Sequence, residues 1–507
     1  MAAKRIFTAL LASLMLALPL ASCSGDTPDV PAAEDTTTAG ETETTLPAET
    51  APLVTGRADA KDNLPPTLDL GGKSIGVFTD DAASVRHYDV DGGGEESGDV
   101  VKDAVYRRNR SVEERLKVKL DITAMPGAYK TVGNTMEQNI LAGDDTWDLY
   151  FARGMVTLQA KRDHLFLDLA DSKYIDYSQP WWWTDSMEEV SLDGKSIRYL
   201  IGDICLNNYT RAGSVLFNKK LYQDVLGDPD DLYQLVIDGD WTYDKLMEYC
   251  EKLYVDLNGD GKKDISDRFG LIVEYFAWLT YMEYSGDFTR FVRGADGLPE
   301  MKYDLDRAQV HLEKINKLLY ETNGATYLGG YADKTHFVTN HTVFYVGQLH
   351  DLLTTEIRSM EAVYGVIPYP KTDDKQENYT GIVYASGNMV CLPVICKAPD
   401  EIGAVCEALC AESYRSVIEP FYDTAMKAKY VQDSKSGQCI DIITETAHFE
   451  FAYYFANVLG GGNILDSLAR TGSNELSSAY ASKVNIVNKS IADLAKEYEK
   501  LRSDLAG

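Results

Sequence analysis

Apolar and polar positions near the start of the folded region predict a parallel sheet. Residues 74–79 form a short apolar run after two glycines, which is typical of a strand. Residues 101–116 carry apolar side chains on one helical face, and residues 118–122 alternate as a strand does. The helical face consists of Val101, Ala104, Val105, Val112 and Leu116. A strand, a helix and a strand in this order predict a β-α-β unit with parallel strands.

Apolar patterning also predicts strands and helices later in the chain. Residues 147–151 and 215–219 read as strands, and the chain from residue 402 onward is mostly helical by pattern, through residues 485–501. Residues 241–246 predict the start of a helix, because Thr242 is a good N-cap and Trp241 can pack on Leu246 as a hydrophobic staple. We therefore interpret Trp241 as a structural residue.

The N-terminal segment predicts export. Two basic residues precede an apolar run over residues 6–20, which is too short for a mature membrane span and is typical of a secretory signal. The run ends in Leu20-Ala21-Ser22-Cys23, which resembles the lipobox of bacterial lipoproteins. The resemblance implies that residues 1–22 are removed and that Cys23 is diacylated, which anchors the chain at the extracellular face of the cell membrane. An ordinary cleaved signal, with Cys23 incidental, is the alternative.

Charge and composition narrow the function. The chain has 49 Lys+Arg and 79 Asp+Glu, for a net charge of −30, which argues against nucleic-acid binding. Residues 23–67 are acidic and rich in Thr, Pro and Ala, and they read as an extended tether. The 32 Tyr and 6 Trp leave the folded part with a large supply of aromatic surface.

Seven cysteines remain after Cys23, and an odd number cannot all pair within one chain. Cys406 and Cys410 lie four residues apart in a helical pattern. We interpret these two as buried small apolar residues rather than as metal ligands or a disulfide.

An ordered set of segments resembles a known family. The lipobox and tether are followed by residues 105–114, 215–219, 239–246 and 365–371, which together resemble extracellular solute-binding proteins of bacterial ABC importers. More narrowly, they resemble the carbohydrate-binding group related to maltose-binding protein.

The resemblance implies an α/β fold of the two-lobed, type II periplasmic-binding-protein kind, with a hinge between the lobes and a helical C-terminal part. Lobe one would comprise residues 68–206 and 370–420, and lobe two residues 207–369 and 421–507. A monomeric receptor would enclose an oligosaccharide between the lobes and deliver it to the permease subunits of an ABC transporter. Such a receptor binds its ligand and catalyses no reaction.

Sugars present apolar C–H faces ringed by hydroxyls, so their sites need aromatic platforms beside polar side chains. Trp181, Trp182 and Trp183 are the strongest candidates for such platforms. Because consecutive residues of an extended segment point to opposite faces, at most two of the three can reach a common cleft.

Other candidates come from the resemblance to family contact sites. Residues 274–278 resemble a segment of maltose-binding protein that supplies an acidic residue and an aromatic platform, although core packing of Phe276 and Trp278 is an equal alternative. Asn207 and Asn208, near the predicted crossing between lobes, are either ligand contacts or hinge residues. The predicted contacts besides the tryptophan run are Asp80, Asp81, Arg153, Asn207, Glu274, Tyr275, Trp278 and Gln348.

Residues 256–267 match a twelve-residue calcium loop, with a glycine at position six for the tight turn. The predicted ligands of a structural Ca²⁺ are Asp256, Asn258, Asp260, Lys262 (through its carbonyl), Asp264 and Asp267. Position twelve is Asp267 instead of Glu, which shortens its reach. A turn-rich surface loop without an ion is the alternative.

Two other functions remain open at this point. A secreted glycosidase would also use aromatic platforms, together with a pair of carboxyl groups. A surface adhesin would need little more than the acidic tether, but the chain has no internal repeats. Common hydrolase and nucleotide-binding motifs are missing from the sequence.

Overall fold

The computed structural model describes residues 56–81, 89–157, 163–330, 334–422, 434–455, 459–461 and 463–506. The predicted signal segment, the lipidation site Cys23 and the tether up to residue 55 lie outside these ranges. Residues 56–507 belong to one unit. Across the described ranges, none of the helices combines the length and the apolar character that a membrane span requires.

The strands are β1 (Lys73–Asp80), β2 (Val118–Met125), β3 (Leu149–Arg153), β4 (Gly213–Asn218), β5 (Phe269–Tyr275), β6 (Phe291–Arg293), β7 (Pro299–Met301), β8 (Ala325–Gly330), β9 (Thr342–Gln348), β10 (Tyr364–Ile367), β11 (Gly381–Ile382), β12 (Asn388–Cys391) and β13 (Ala447–His448).

The α-helices are α1 (Val100–Leu116), α2 (Tyr129–Leu141), α3 (Gly154–Thr157), α4 (Thr184–Glu189), α5 (Asn207–Thr210), α6 (Lys219–Leu226), α7 (Pro229–Ile237), α8 (Tyr243–Leu253), α9 (Trp278–Tyr284), α10 (Leu305–Asn316), α11 (Thr335–Val338), α12 (Thr355–Arg358), α13 (Pro399–Ser416), α14 (Ser434–Thr446), α15 (Phe451–Phe455), α16 (Ile464–Ala469) and α17 (Leu476–Ala506). Three 3₁₀ turns (Arg57–Asp59, Asp163–Leu165 and Leu349–Leu353) and a π-helical turn (Lys317–Glu321) complete the described helices.

The first sheet has the strand order β12-β3-β1-β2. The central strand β1 is parallel to β2 and to β3, and β12 runs antiparallel at the edge. Helix α1 connects β1 to β2, so the predicted β-α-β unit is confirmed. Gly76 allows the close approach of the neighbouring chain, because a Cβ atom there would lie 1.9 Å from the Thr146 carbonyl oxygen.

Helix α1 shows why this unit folds locally. Its N-cap Asp99 accepts hydrogen bonds from the backbone N–H groups of Val101 and Lys102, which satisfies two of the free donors at the helix start. The helix ends at Lys117, whose backbone is left-handed with φ 54°. The apolar face predicted from the sequence, from Val101 to Leu116, is buried at all five positions.

The second sheet has the order β10-β4-β9-β5-β8. Strand β5 is parallel to both β8 and β9, whereas β4 is antiparallel to β9 and to β10. Helix α8 packs beside this sheet and begins as predicted, with the Thr242 side chain accepting from Lys245 N. Trp241 is fully buried and donates to the Pro368 carbonyl at 3.0 Å, which confirms its structural role.

The chain crosses between the two sheets more than once. Residues 200–212 lead from the first sheet to β4, and residues 368–387 lead from β10 back to β12. Leu200 pairs with Val390, and Ala212 pairs with Val383, so the two crossings lie side by side. The lobe boundaries, 68–206 with 370–420 and 207–369 with 421–507, stay a prediction.

The region after β12 is mainly helical, as predicted, and its short strand β13 pairs in parallel with β11 of the second crossing. Cys406 and Cys410 lie on α13 and are fully buried, which confirms their interpretation as core residues. All seven cysteines after Cys23 are free thiols.

Candidate functional site

Two predicted contacts meet at the carboxyl edge of the first sheet. Asp80 ends β1 and Arg153 ends β3, and these strands are parallel neighbours. Arg153 Nε donates to Asp80 Oδ2 at 2.7 Å, and Asp80 is only 1% exposed. Asp81 follows as an exposed residue whose backbone N–H donates to Met125. Ligands of open α/β sheets bind at such carboxyl edges, so this pair lies where a contact is expected.

The second sheet presents a matching edge. Glu274 and Tyr275 end β5, and Gln348 ends the parallel strand β9. Glu274 is buried and contacts the His336 ring through Nδ1. Gln348 Oε1 accepts a hydrogen bond from the Tyr281 hydroxyl at 3.0 Å. The structure therefore brings three of the predicted contacts to one edge, beside a tyrosine that the sequence reasoning missed.

Trp278 lies in an aromatic wall next to this edge. Its ring centroid is 5.2 Å from that of Tyr275, 5.8 Å from Tyr281 and 6.4 Å from Tyr345. The residue is 4% exposed, as the core-packing alternative expects. Its indole Nε1, however, is buried without a hydrogen-bond partner in the described part of the chain. Leaving a buried donor unsatisfied costs about 1–3 kcal/mol, which a ligand oxygen can recover.

Tyrosines extend the wall toward the second crossing. Tyr281 is stacked between Tyr369, at 5.8 Å, and Tyr384, at 5.6 Å. Its hydroxyl also lies 2.9 Å from the Arg211 carbonyl oxygen. Individual tyrosines carried no signal in the sequence beyond their abundance, because Tyr281 is separated from its two stacking partners by 88 and 103 positions.

Arg211 lies between the two edges and was not predicted. It is 8% exposed, and its Nε donates to Asn207 Oδ1 at 3.1 Å. Burial lowers the pKa of the Arg211 guanidinium, and the charge of Arg153 lowers it further, whereas Asp351 beside β9 raises it. Arg211 thus contacts Asn207 of the first crossing through its side chain and Tyr281 of the aromatic wall through its carbonyl oxygen.

Asn207 and Asn208 occupy the first crossing. Asn207 is 3% exposed; its amide donates to the Ser386 carbonyl and accepts from Arg211. Asn208 is fully buried and exchanges two hydrogen bonds with the backbone of Asn388 in β12. These bonds tie one crossing to the other, which fits the hinge alternative better than a ligand contact.

The tryptophan run lies elsewhere, which corrects the binding role predicted for two of its members. Trp181 is fully buried and Trp182 is 5% exposed. Both indole N–H groups donate to the carboxylate of Glu407 on α13, at 3.2 and 2.8 Å. Burial raises the pKa of Glu407 to about 7, against the effect of these hydrogen bonds. No local pattern points to this partner, because it lies more than 220 positions away.

Trp183 is half-buried and remains a prediction. Its ring packs edge-on against Tyr209 at 5.0 Å, and its Nε1 lies 3.4 Å from Asp203 Oδ1. Both neighbours belong to the first crossing, so Trp183 packs against that crossing and not against the aromatic wall.

The loop predicted to bind calcium has the required turn, with Gly261 at φ 75°. Its carboxylates face the backbone of the loop: Asp256 accepts from Gly259 N and Gly261 N, at 2.7 and 2.9 Å. Asp267 is fully buried and accepts from the Tyr254 hydroxyl at 2.7 Å. In the described ranges no three His, Cys, Asp or Glu side chains are grouped as metal ligands. The side chains thus fit the ion only in part, and the calcium site stays a prediction.

Comparison with known proteins places the fold. No family model matches this chain, and neither does any curated protein. Among solved structures it is similar to the cyclic alpha-maltosyl-1,6-maltose binding protein from Arthrobacter globiformis, with 12% identity and a TM-score of 0.53 over 83% of this chain and 99% of that chain. It is also similar to UgpB from Mycobacterium tuberculosis in complex with glycerophosphocholine, with 12% identity and a TM-score of 0.50 over 86% and 99% of the two chains.

At these identities the similarity establishes the architecture. The chain has the mixed α/β, two-lobed fold of type II periplasmic binding proteins.

Proposed function

We propose that this chain is an extracellular receptor that binds a carbohydrate, specifically an oligosaccharide, between its two lobes without chemical conversion. The observation that carries the proposal is the juxtaposition around Arg211. An Arg153–Asp80 pair on one sheet edge and Gln348 with an aromatic wall on the other supply polar groups and apolar surface together. Sugars require this combination, because stacking and hydroxyl hydrogen bonds supply their affinity.

The charges at the site favour a neutral ligand with many hydroxyls. Three acidic side chains at the site contact basic ones: Asp80 contacts Arg153, Glu274 contacts His336, and Asp351 lies 3.3 Å from Lys334. Paired charges of this kind present both donors and acceptors to hydroxyl groups at little net charge. Of the two structures cited above, the cyclic alpha-maltosyl-1,6-maltose binding protein is named for a carbohydrate ligand, which agrees with this class, whereas UgpB was solved with glycerophosphocholine.

A glycosidase, which would hydrolyse the sugar that it binds, is the alternative function. Such an enzyme needs a protonated carboxyl group and a second carboxylate flanking the same bond. The pairing of Asp80 and Glu274 with basic groups is better suited to holding hydroxyls than to donating a proton. An adhesin, the third class, would bind its glycan on an exposed surface and not at the edges between two sheets.

The test is a glycan panel read by thermal shift and calorimetry, with product analysis of every incubation. Binding of one sugar class, without turnover and with loss of binding in Trp278→Ala, supports the receptor. Released shorter sugars would instead identify an enzyme. If no glycan shifts the melting temperature while glycerophosphodiesters do, the carbohydrate assignment is wrong and the receptor role stands.

Delivery to an ABC transporter permease and the lipid anchor at Cys23 belong to the same proposal. The lipobox-like sequence Leu20-Ala21-Ser22-Cys23 supports the anchor, and a monomeric receptor suits capture and release. Incorporation of a labelled fatty acid into the full chain, and its loss in Cys23→Ser, tests the anchor. Stimulation of the ATPase of a reconstituted permease by the liganded receptor tests the partner.

A further inference from the structure

A single carboxyl group joins the two crossings of the chain. These are the first crossing, residues 200–212, and the second crossing, residues 368–387, which leads into β12 at Asn388. Asp89 Oδ1 accepts a hydrogen bond from the Asn207 backbone N–H at 2.9 Å, which holds the first crossing. Asp89 Oδ2 accepts from the side-chain amide of Asn388, which holds the second crossing where β12 begins.

This carboxyl group is fully buried and has no ion-pair partner among the residues that the structure describes. Arg108 on α1 is the basic group beside it, but its guanidinium donates to the backbone carbonyls of Asp89 and Val90, at 2.7 and 3.3 Å. Its other donors bond to Asn109 and Ser413. Within the described ranges, no basic side chain forms a salt bridge with the Asp89 carboxylate. An ionised carboxylate in such a place is costly unless it is compensated.

Asn388 is fully buried and offers a second arrangement. Its Nδ2 donates to Asp89, but its Oδ1 is buried without a hydrogen-bond partner among the described residues. Rotation of the amide by half a turn would direct Oδ1 at Asp89, where it can accept a proton only from a neutral carboxyl group. The pair therefore has one arrangement for ionised Asp89 and another for protonated Asp89.

We infer that Asp89 is a protonation-dependent latch between the two crossings. When Asp89 holds a proton, its hydroxyl donates to Asn388 Oδ1 while Asn207 N–H still donates to the other oxygen, and the crossings are held without a buried charge. When the proton leaves, the charge remains buried between them and the latch weakens. The inference rests on the proposed function only in that the crossings serve as the hinge.

The electrostatic surroundings agree in direction. Burial raises the pKa of Asp89 to about 7, against the hydrogen bonds from Asn388 and Asn207 and the charges of Arg108 and Arg211. The neighbouring Cys205 thiol has a pKa raised well above its ordinary value by burial, so it stays neutral. Because the pKa of folded Asp89 lies above its ordinary 3.8, the latch is at full strength below about pH 4 and is lost as pH rises through about 7.

Hydrogen–deuterium exchange of the unliganded protein between pH 5 and pH 8.5 tests the latch, with rates corrected for the intrinsic effect of pH. We expect protection of residues 203–211 to fall by roughly tenfold per pH unit between pH 5 and about 7, and to level off above that. Asp89→Asn mimics the neutral carboxyl group, since its amide can donate to Asn388 Oδ1. This variant is expected to keep the crossing protected over the whole pH range.

Glu407→Gln is the matched control, because it removes another buried carboxyl group whose pKa is raised to about 7 but which bonds to neither crossing. It should leave the transition of residues 203–211 in place. A transition that is the same in Asp89→Asn and wild type, or no transition in wild type, overturns the latch. Should Asp89→Asn fail to fold, the wild-type titration is compared with that of Asp203→Asn, which removes the other buried carboxyl group of the first crossing, with a pKa raised to about 6; loss of the transition in that variant overturns the latch. No ligand is used, so the glycan panel and this experiment can fail independently.

Discussion

The tryptophan run at residues 181–183 and the aromatic wall around Trp278 differ in how their indole groups are satisfied. Trp181 and Trp182 donate to one buried carboxylate, Glu407, so the protein itself satisfies their polar edges. Trp278 is as buried as Trp182, yet its N–H has no partner in the described ranges. Two tryptophans of similar burial therefore differ in whether the described part of the chain supplies a partner for the indole N–H.

The difference has a physical origin in the neighbouring elements. Helix α13 packs across the tryptophan run and places a carboxylate between two indoles. The wall is built from tyrosines whose hydroxyls bond elsewhere, such as Tyr281 to the Arg211 carbonyl and Tyr345 to Asp351. No acceptor is therefore left for the indole of Trp278 within that described cluster, and a ligand hydroxyl would supply one.

The strongest test of this contrast is Trp181→Ala. A fully buried tryptophan leaves a cavity and an unsatisfied Glu407 oxygen, so we expect a loss of about 3–5 kcal/mol in the free energy of unfolding. Urea unfolding measures it, with the half-buried Trp183→Ala as a control that should lose less. A loss below that of Trp183→Ala would contradict the assignment of Trp181 to the core.

The second test concerns the Glu407 carboxyl group, which accepts hydrogen bonds from both indoles. Because burial raises the pKa of Glu407 to about 7 from 4.5, the folded state binds more protons, and stability falls as pH rises from about 4.5 to 7. Glu407→Gln should remove roughly 2–3 kcal/mol of that fall. Unfolding free energies at several pH values measure the slope. An unchanged slope would mean that Glu407 titrates normally and that the indoles enclose no raised carboxyl group.

The third test compares the indole N–H groups of Trp278 and Trp182, and its expected effects are smaller. Trp278→Phe keeps an aromatic ring and removes a donor without an internal partner, so stability should hardly change while glycan affinity falls about tenfold, or about 1.4 kcal/mol. Trp182→Phe should do the reverse, with about 1 kcal/mol lost from stability and none from binding. Paired calorimetry and urea unfolding of the two variants decide. If both lose stability alone, the wall is only core.

The smallest expected effect concerns the predicted calcium loop, which joins α8 to the strand that carries Glu274 and Tyr275. Calcium at five times its dissociation constant should stabilise the folded protein by about 1 kcal/mol, and the tryptophan run should be unaffected. Native mass spectrometry before and after chelation should show the loss of one calcium, and Asp264→Ala should abolish it. An unchanged mass would mean that the loop binds no calcium.

Local chemistry explains which elements could be predicted. The apolar face of α1 and the N-cap Thr242 depend on neighbours within a few positions, and both are confirmed. Asp80 and Arg153 could be placed at strand ends, and the parallel pairing of β1 and β3 brings them together. Arg211 and Tyr281 could not be found in the same way, because the contact that joins them spans 70 positions and no local pattern encodes it.

Periodicity and capping act over short distances, so the order of the elements, the parallel unit at the start of the first sheet and the aromatic composition could be read from the sequence. The tertiary fold settles which indole N–H groups find an acceptor within the described part of the chain. Three consecutive tryptophans looked like the binding platform, yet a carboxylate on α13 satisfies two of them. Hydrogen bonding and burial depend on which distant segments of the chain meet, and short-range sequence patterns do not encode those contacts.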